Sequence, residues 1–184
     1  MRIEVYSPGA PLDADVVVVP PGLAAAPTAD ALDALRRFAR GGGNVLGLAD
    51  GVRWLCAAEL LPGEVLDAEE GAPPTHVRVE GRATAFTWAI PAGRIVALTA
   101  SATPARYAAP TSELTALAAH GRIVLRYCDA SGGVARGGPR DASVAGLSDE
   151  TGRIVGLLAP STTTFDCELG RQLGSCFKAP RKTR

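Results

Sequence analysis

Residues 44–63 read NVLGLADGVRWLCAAELLPG, and no other stretch constrains the fold as tightly. An apolar strand, a glycine, a sharp turn, a second glycine and a helix succeed one another within it. Reversing a buried strand into a helix over so few residues needs positions without a Cβ on either side of the bend. This is the outline of a nucleophile elbow, a turn that lifts one side chain clear of the backbone. The residue at its point is Ala49, which carries a methyl group and no nucleophile.

The rest of the chain alternates short strands and helices. Residues 2–6 and 15–19 are compact β-branched runs, and the second, DVVVV, is continuous enough for a strand buried on both faces. Thr28 is placed to cap a helix with Ala31, Leu32, Leu35, Phe38 and Ala39 at helical spacing, and Gly41, Gly42 and Gly43 end it. Residues 44–48 are a third strand, and the helix after the elbow is expected to run to about Leu60. Residues 75–80, 84–90 and 94–99, rich in Val, Thr, Phe, Trp and Ile, read as antiparallel β structure with turns at Gly81 and Gly93. A helix over 112–119, a strand over 122–128, a Gly-rich loop over 131–140 and a hairpin of 143–148 with 153–158 around DETG complete the pattern. Parallel βα units with a β insertion make the class α/β.

Composition narrows the function classes. With 184 residues, 47% of them hydrophobic, and a formal net charge of zero, the chain can bury a proper core and has no polyanion-binding character. One domain is expected over residues 1–177, followed by a basic tail, 178–184, expected to be disordered. No apolar run approaches the roughly 18 residues of a membrane span, and MRIEVYSPGA lacks the layout of a signal peptide, so a cytoplasmic address is expected. Cys56, Cys128, Cys167 and Cys176 form no CxxC pair and have no His at ligand spacing. Neither a zinc site nor a disulfide framework is indicated, and no cofactor or metal is expected.

Several segments, in order, resemble one family. GLADGVRWLCAAELLPG aligns without a gap to G-x-C-N-G-x-Q-x-L-x-x-x-G-L-L-P-G, the signature of the glutaminase subunit (PurQ) of phosphoribosylformylglycinamidine synthase, a class I glutamine amidotransferase. PLDADVVVVPPGL is similar to L-D-x-F-D-x-V-x-x-P-G-G-F, RYAAP to G-R-Y-V-A-P, and ASVAGLSDETGRIVGLLAP to I-A-G-I-x-N-E-x-G-x-V-L-G-L-M-P. The resemblance implies a flavodoxin-like sheet with flanking helices and a β insertion. In it a thiolate at the elbow, activated by a His and a Glu, releases ammonia from glutamine for a PurL-like synthetase in purine biosynthesis. Helix N-terminus and backbone donors support that chemistry by lowering the thiol pKa and stabilising the oxyanion.

This sequence departs from the pattern at each chemical position. The nucleophile position is Ala49, the His and Glu of the closing H-P-E fall on Pro160 and Thr162, and the glutamine-contacting Gln falls on Arg53. One glycine of the oxyanion loop is Pro21, which has no N–H to donate. MRIEVYS aligns with the family's second strand, so the first βα unit has no counterpart. Residues 2–6 are therefore expected to pair directly with 15–19, or to receive a strand from a partner chain.

The remaining polar residues admit plain and functional readings. Asp50, beside the helix N-terminus, reads as a cap, with a ligand role as the alternative. Cys56, two turns beyond Ala49, reads as a small buried hydrophobe, and Cys128 as structural. His120 reads as a partner of a helix C-terminus. Asp50, Arg53, Arg106, Tyr107, Ser161 and Thr162 are the candidate ligand-binding set of the former cleft, and its arginines would suit an anionic small molecule. The expected function is that of a protein without glutaminase activity, acting as a subunit or scaffold for a PurL-like synthetase or another biosynthetic partner. The alternatives are a repurposed small-molecule enzyme or binding protein of a specialised pathway, and a self-associating structural protein. Neither nucleic acid nor membrane is an expected partner.

Overall fold

The computed structural model describes residues 2–23, 26–67, 76–81, 84–88, 90–98, 106–134 and 143–158. Its elements are β1 (Ile3–Val5), β2 (Val16–Val19), α1 (Ala29–Arg40), β3 (Asn44–Leu48), α2 (Gly51–Ala57), β4 (Glu64–Leu66), β5 (His76–Val79), β6 (Ile95–Ala97), β7 (Arg106–Ala108), α3 (Thr111–Ala119), β8 (Ile123–Cys128), β9 (Val144–Ser148) and β10 (Ile154–Leu157). One sheet has the order β1-β2-β3-β10-β9-β8-β5-β6, and β4 with β7 forms a separate ribbon. β1, β2, β3 and β10 run parallel. β9, β8, β5 and β6 continue the sheet with antiparallel pairings.

β1 pairs with β2 directly, Ile3 opposite Val16 and Val5 opposite Val18, so no strand-wide slot separates them. All four residues of β2 and all five of β3 are buried, as their uninterrupted apolar sequences require. The amide of Ala31 donates to Thr28 Oγ1, and α1 buries Ala31, Leu35 and Ala39, spaced four apart on one face. Residues of all three helices share one buried cluster with Val17, Val19 and Val45 of the sheet. The opposite face carries Val16, Val18, Leu46 and Leu48 together with Phe86 and Ile90, and its cluster includes no helical residue among those described. Each fully buried Leu of these clusters contributes on the order of 1.5–3 kcal/mol of transfer free energy.

Two expectations are corrected. Residues 84–88 form turns instead of a strand, because Thr84 Oγ1 accepts from the amides of Phe86 and Thr87 at 3.2 and 3.0 Å and sits 2.7 Å from Thr87 Oγ1. A hydroxyl that satisfies local amides competes with ladder pairing. The second concerns α2, which stops at Ala57. The amide of Leu60 turns back to Leu55 O, and Glu59 takes φ 55, the left-handed residue of a helix end. Residues 178–184 and the tail cysteines lie outside the described residues.

Candidate functional site

β3 ends at Leu48, and Ala49 turns the chain with φ 47, a left-handed conformation that is uncommon away from glycine. The bend is held on both sides. The amide of Ala49 donates to Leu157 O at 2.8 Å, and its carbonyl accepts from Val52 at 3.0 Å. Gly51 is required by its close approach to the β2 backbone, and Gly47 packs against the Leu55 side chain. A Cβ on Gly47 would lie 2.7 Å from Leu55 Cδ1, and one on Gly51 would lie 2.3 Å from Val19 O and 3.0 Å from Pro20 O. The start of α2 is therefore pressed against the end of β2, and the loop that carries Pro21 abuts the elbow.

Asp50 is exposed and makes no side-chain cap bond, which corrects the capping reading. Its backbone is already helical (φ −61, ψ −23), whereas a capping residue is extended so that its side chain reaches back to the first amides. Arg53 forms an ion pair with Asp67, whose side chain is 97% exposed. Solvent at that carboxylate holds the pair to about 1 kcal/mol or less. Asp67 directly follows Leu66, the register partner of Arg106, so the ion pair brings Arg53 to the ribbon that carries Arg106.

Along that ribbon side chains alternate. Tyr107, opposite Val65, is 1% exposed, and its hydroxyl donates to Pro62 O at 2.9 Å. Cys56 Sγ lies 3.6 Å from the same carbonyl. Burial pushes the Cys56 thiol up to about 12, with Glu113 and Glu64 adding to the effect, and burial likewise pushes the Tyr107 phenol upward. Both groups stay protonated at neutral pH and tie the end of the LLPG segment to the core. Neither Asp67 nor the carbonyl of Pro62 was foreseen from sequence. Strands as short as Glu64–Leu66 and Arg106–Ala108 leave no readable period, so the ribbon that places them carries little signal.

Pro160, Ser161 and Thr162 lie outside the described residues. Nδ1 of His120 is 2.7 Å from Ala116 O at the end of α3, as the helix-end reading expects. Among the described residues no cluster of three or more His, Cys, Asp or Glu could hold a metal, and no helix is long and apolar enough to cross a membrane. A cleft of about 860 Å³ opens between the loop Pro8 to Leu12 and α1, lined by Asp30, Arg37 and Phe38 among others, and none of the elbow residues borders it.

A parallel core sheet with an antiparallel extension, whose third strand turns left-handed into a helix beside close-packed glycines, is a flavodoxin-like α/β fold with the elbow turn that the resemblance to class I glutamine amidotransferases implies. No family model matches the chain. Individual proteins do. The subunit PurQ of phosphoribosylformylglycinamidine synthase from Rhodopseudomonas palustris (strain BisB18) is 34% identical over 163 residues, 80% of this chain and 70% of that protein. The same subunit from Salinibacter ruber is 34% identical over 173 residues, 86% and 74% of the two chains. The chain belongs to the PurQ family. Among solved structures, PurLQS from Thermotoga maritima superposes with a TM-score of 0.71 over 93% of this chain and 82% of that one at 21% identity. A ThuA-like protein from Bacteroides uniformis reaches 0.56 over 89% and 67% at 15%. These two likenesses are of fold.

Proposed function

We propose that this PurQ-family chain acts without glutaminase chemistry, as a subunit or scaffold that docks on a PurL-like synthetase or another biosynthetic partner. The observation that carries the reading is Ala49. The elbow is built, with its left-handed residue and both close-packed glycines, around a side chain that can form no thioester. Pro21, in the loop against the elbow, removes one backbone donor from the position of the oxyanion loop. By alignment, Pro160 and Thr162 stand where base and orienting acid would be. The relatives' name makes them subunits of a synthase, and a scaffold retained without its reactive groups is what selection on docking leaves.

A second reading, an anion-binding or newly catalytic cleft, draws on Arg53 and Arg106 reaching one ribbon. It is weakened because Arg53 is already matched by Asp67, and Tyr107 is committed to Pro62.

Glutamine hydrolysis separates the readings, assayed for the chain and for Ala49→Cys, each alone and with any synthetase that co-purifies from the native lysate. The expected result is no ammonia from either form and a synthetase in stoichiometric amount. Returning a nucleophile without its base recovers little of the roughly 10⁶-fold of a full constellation. Sustained glutamate production by either form would overturn the loss of chemistry. A bound metabolite with no synthetase would favour the second reading.

A further inference from the structure

Beyond any docking on a synthetase, the outer edge of β1, unpaired among the described residues, bears on self-association. Among the described residues β1 closes one end of the sheet and pairs with β2 alone. The amide of Tyr6 donates to Val18 O, and Arg2 O accepts from the amide of Val16. In a parallel ladder, bonding residues alternate along each strand, so residues 2, 4 and 6 engage β2 while the amides and carbonyls of Ile3 and Val5 point away from the sheet. The side chains of Ile3 and Val5 are 45% and 69% exposed, and with Trp88 they are the exposed large hydrophobics among the described residues. An edge with outward backbone groups and apolar side chains is a template for another strand.

We infer that the partner at this edge is a second copy of the chain, its β1 antiparallel to the first about a two-fold axis through the Ile3 pair. The charge pattern selects this arrangement. With Ile3 opposite Ile3, the two residues exchange both of their outward hydrogen bonds, and Arg2 of each copy lies opposite Glu4 of the other. Shifting the register by two residues would instead set Glu4 against Glu4. Within each chain Arg2 pairs with Glu4 at 2.8 Å and with Asp13 at 2.7 Å, so the two-fold contact exchanges two Arg2–Glu4 pairs within chains for two between chains, and the charges fix the register without adding ion pairs. The contact is isologous and closed, as a two-fold dimer requires. Two such short edges bury well under the ~1,200–2,000 Å² of stable interfaces, so the dimer forms at micromolar or higher concentration.

Sedimentation velocity of the full chain across a concentration series from micromolar to millimolar is the test. A monomer–dimer equilibrium is expected. Ile3→Pro removes the reciprocal donors without touching the β1–β2 ladder and is expected to leave a monomer whose thermal midpoint is close to that of the parent. Arg2→Glu and Glu4→Arg singly set like charges across the axis and are expected to weaken the dimer at least about tenfold, while the double exchange restores it. The charge variants also stand on their own if Ile3→Pro fails to fold. A monomer at every concentration, a dimer indifferent to Ile3→Pro, larger assemblies, or a double exchange that fails to restore association would each overturn the inference.

Discussion

Ala49 holds φ 47 with a side chain that can make no hydrogen bond in return. An L-residue in the left-handed region costs roughly 1–2 kcal/mol, and glycine avoids most of that while giving back part through its freer unfolded state. Ala49→Gly is therefore expected to stabilise the protein by about 0.5–1 kcal/mol, a rise of a few degrees in Tm for a chain of this size, measured by urea and thermal unfolding. A loss of stability would mean that the methyl group packs at the elbow in a way that offsets the strain. Cys56 gives a second expectation at this scale. Its thiol, held up at about 12 and directed at Pro62 O, should resist iodoacetamide at neutral pH in the native protein and react once the chain is unfolded. Peptide mapping of the alkylated protein reads the difference. Labelling of native Cys56 at the rate of a free thiol would show that α2 opens readily.

The junctions between elements carry the fold's strictest demands. Gly51→Ala would drive a methyl group to 2.3 Å from Val19 O, a backbone atom that cannot step aside without moving β2. The loss expected is at the upper end of single substitutions, about 3 kcal/mol or more, or failure to fold. Thr84→Val should cost about 1–3 kcal/mol, because the amides of Phe86 and Thr87 lose their buried acceptor, and the urea midpoint checks it. These two sites also show what could be read from sequence. The GLADG bend was legible because the close approach of helix and strand admits only glycine at position 51, and β2 because four successive valines leave no polar face. Thr84 was not, since its role is a hydrogen bond with no periodicity, in a segment whose composition reads as strand. Asp50 looked like a cap on residue type alone, and only the backbone angle decides that. Tyr107 looked available to a cleft until the ribbon register turned it inward.

Across the whole molecule, buried acids that stay protonated set an alkaline limit to stability. Cys56, Tyr6, Tyr107 and Tyr127 are all pushed up, burial being the first cause in each case. In the unfolded chain a thiol releases its proton near ~8.5 and a phenol near ~10. Above those values the folded protein binds more protons than the unfolded one, so stability falls as pH rises. The contribution is complete below the unfolded values. The Cys56 share is lost progressively as pH rises toward about 12. Tyr127 isolates one share of the effect. Its hydroxyl is buried and has no hydrogen-bond partner among the described residues, so Tyr127→Phe removes a desolvated polar atom without breaking a contact. That variant is expected to match or slightly exceed the parent in stability at neutral pH, and to lose less stability as the pH is raised through the unfolded phenol range. Urea unfolding of both proteins at a series of pH values makes the comparison, with Cys56→Ala flattening the earlier part of the curve. Parallel curves for parent and Tyr127→Phe would mean that the phenol ionises without unfolding the sheet, and that water reaches the face opposite the helices.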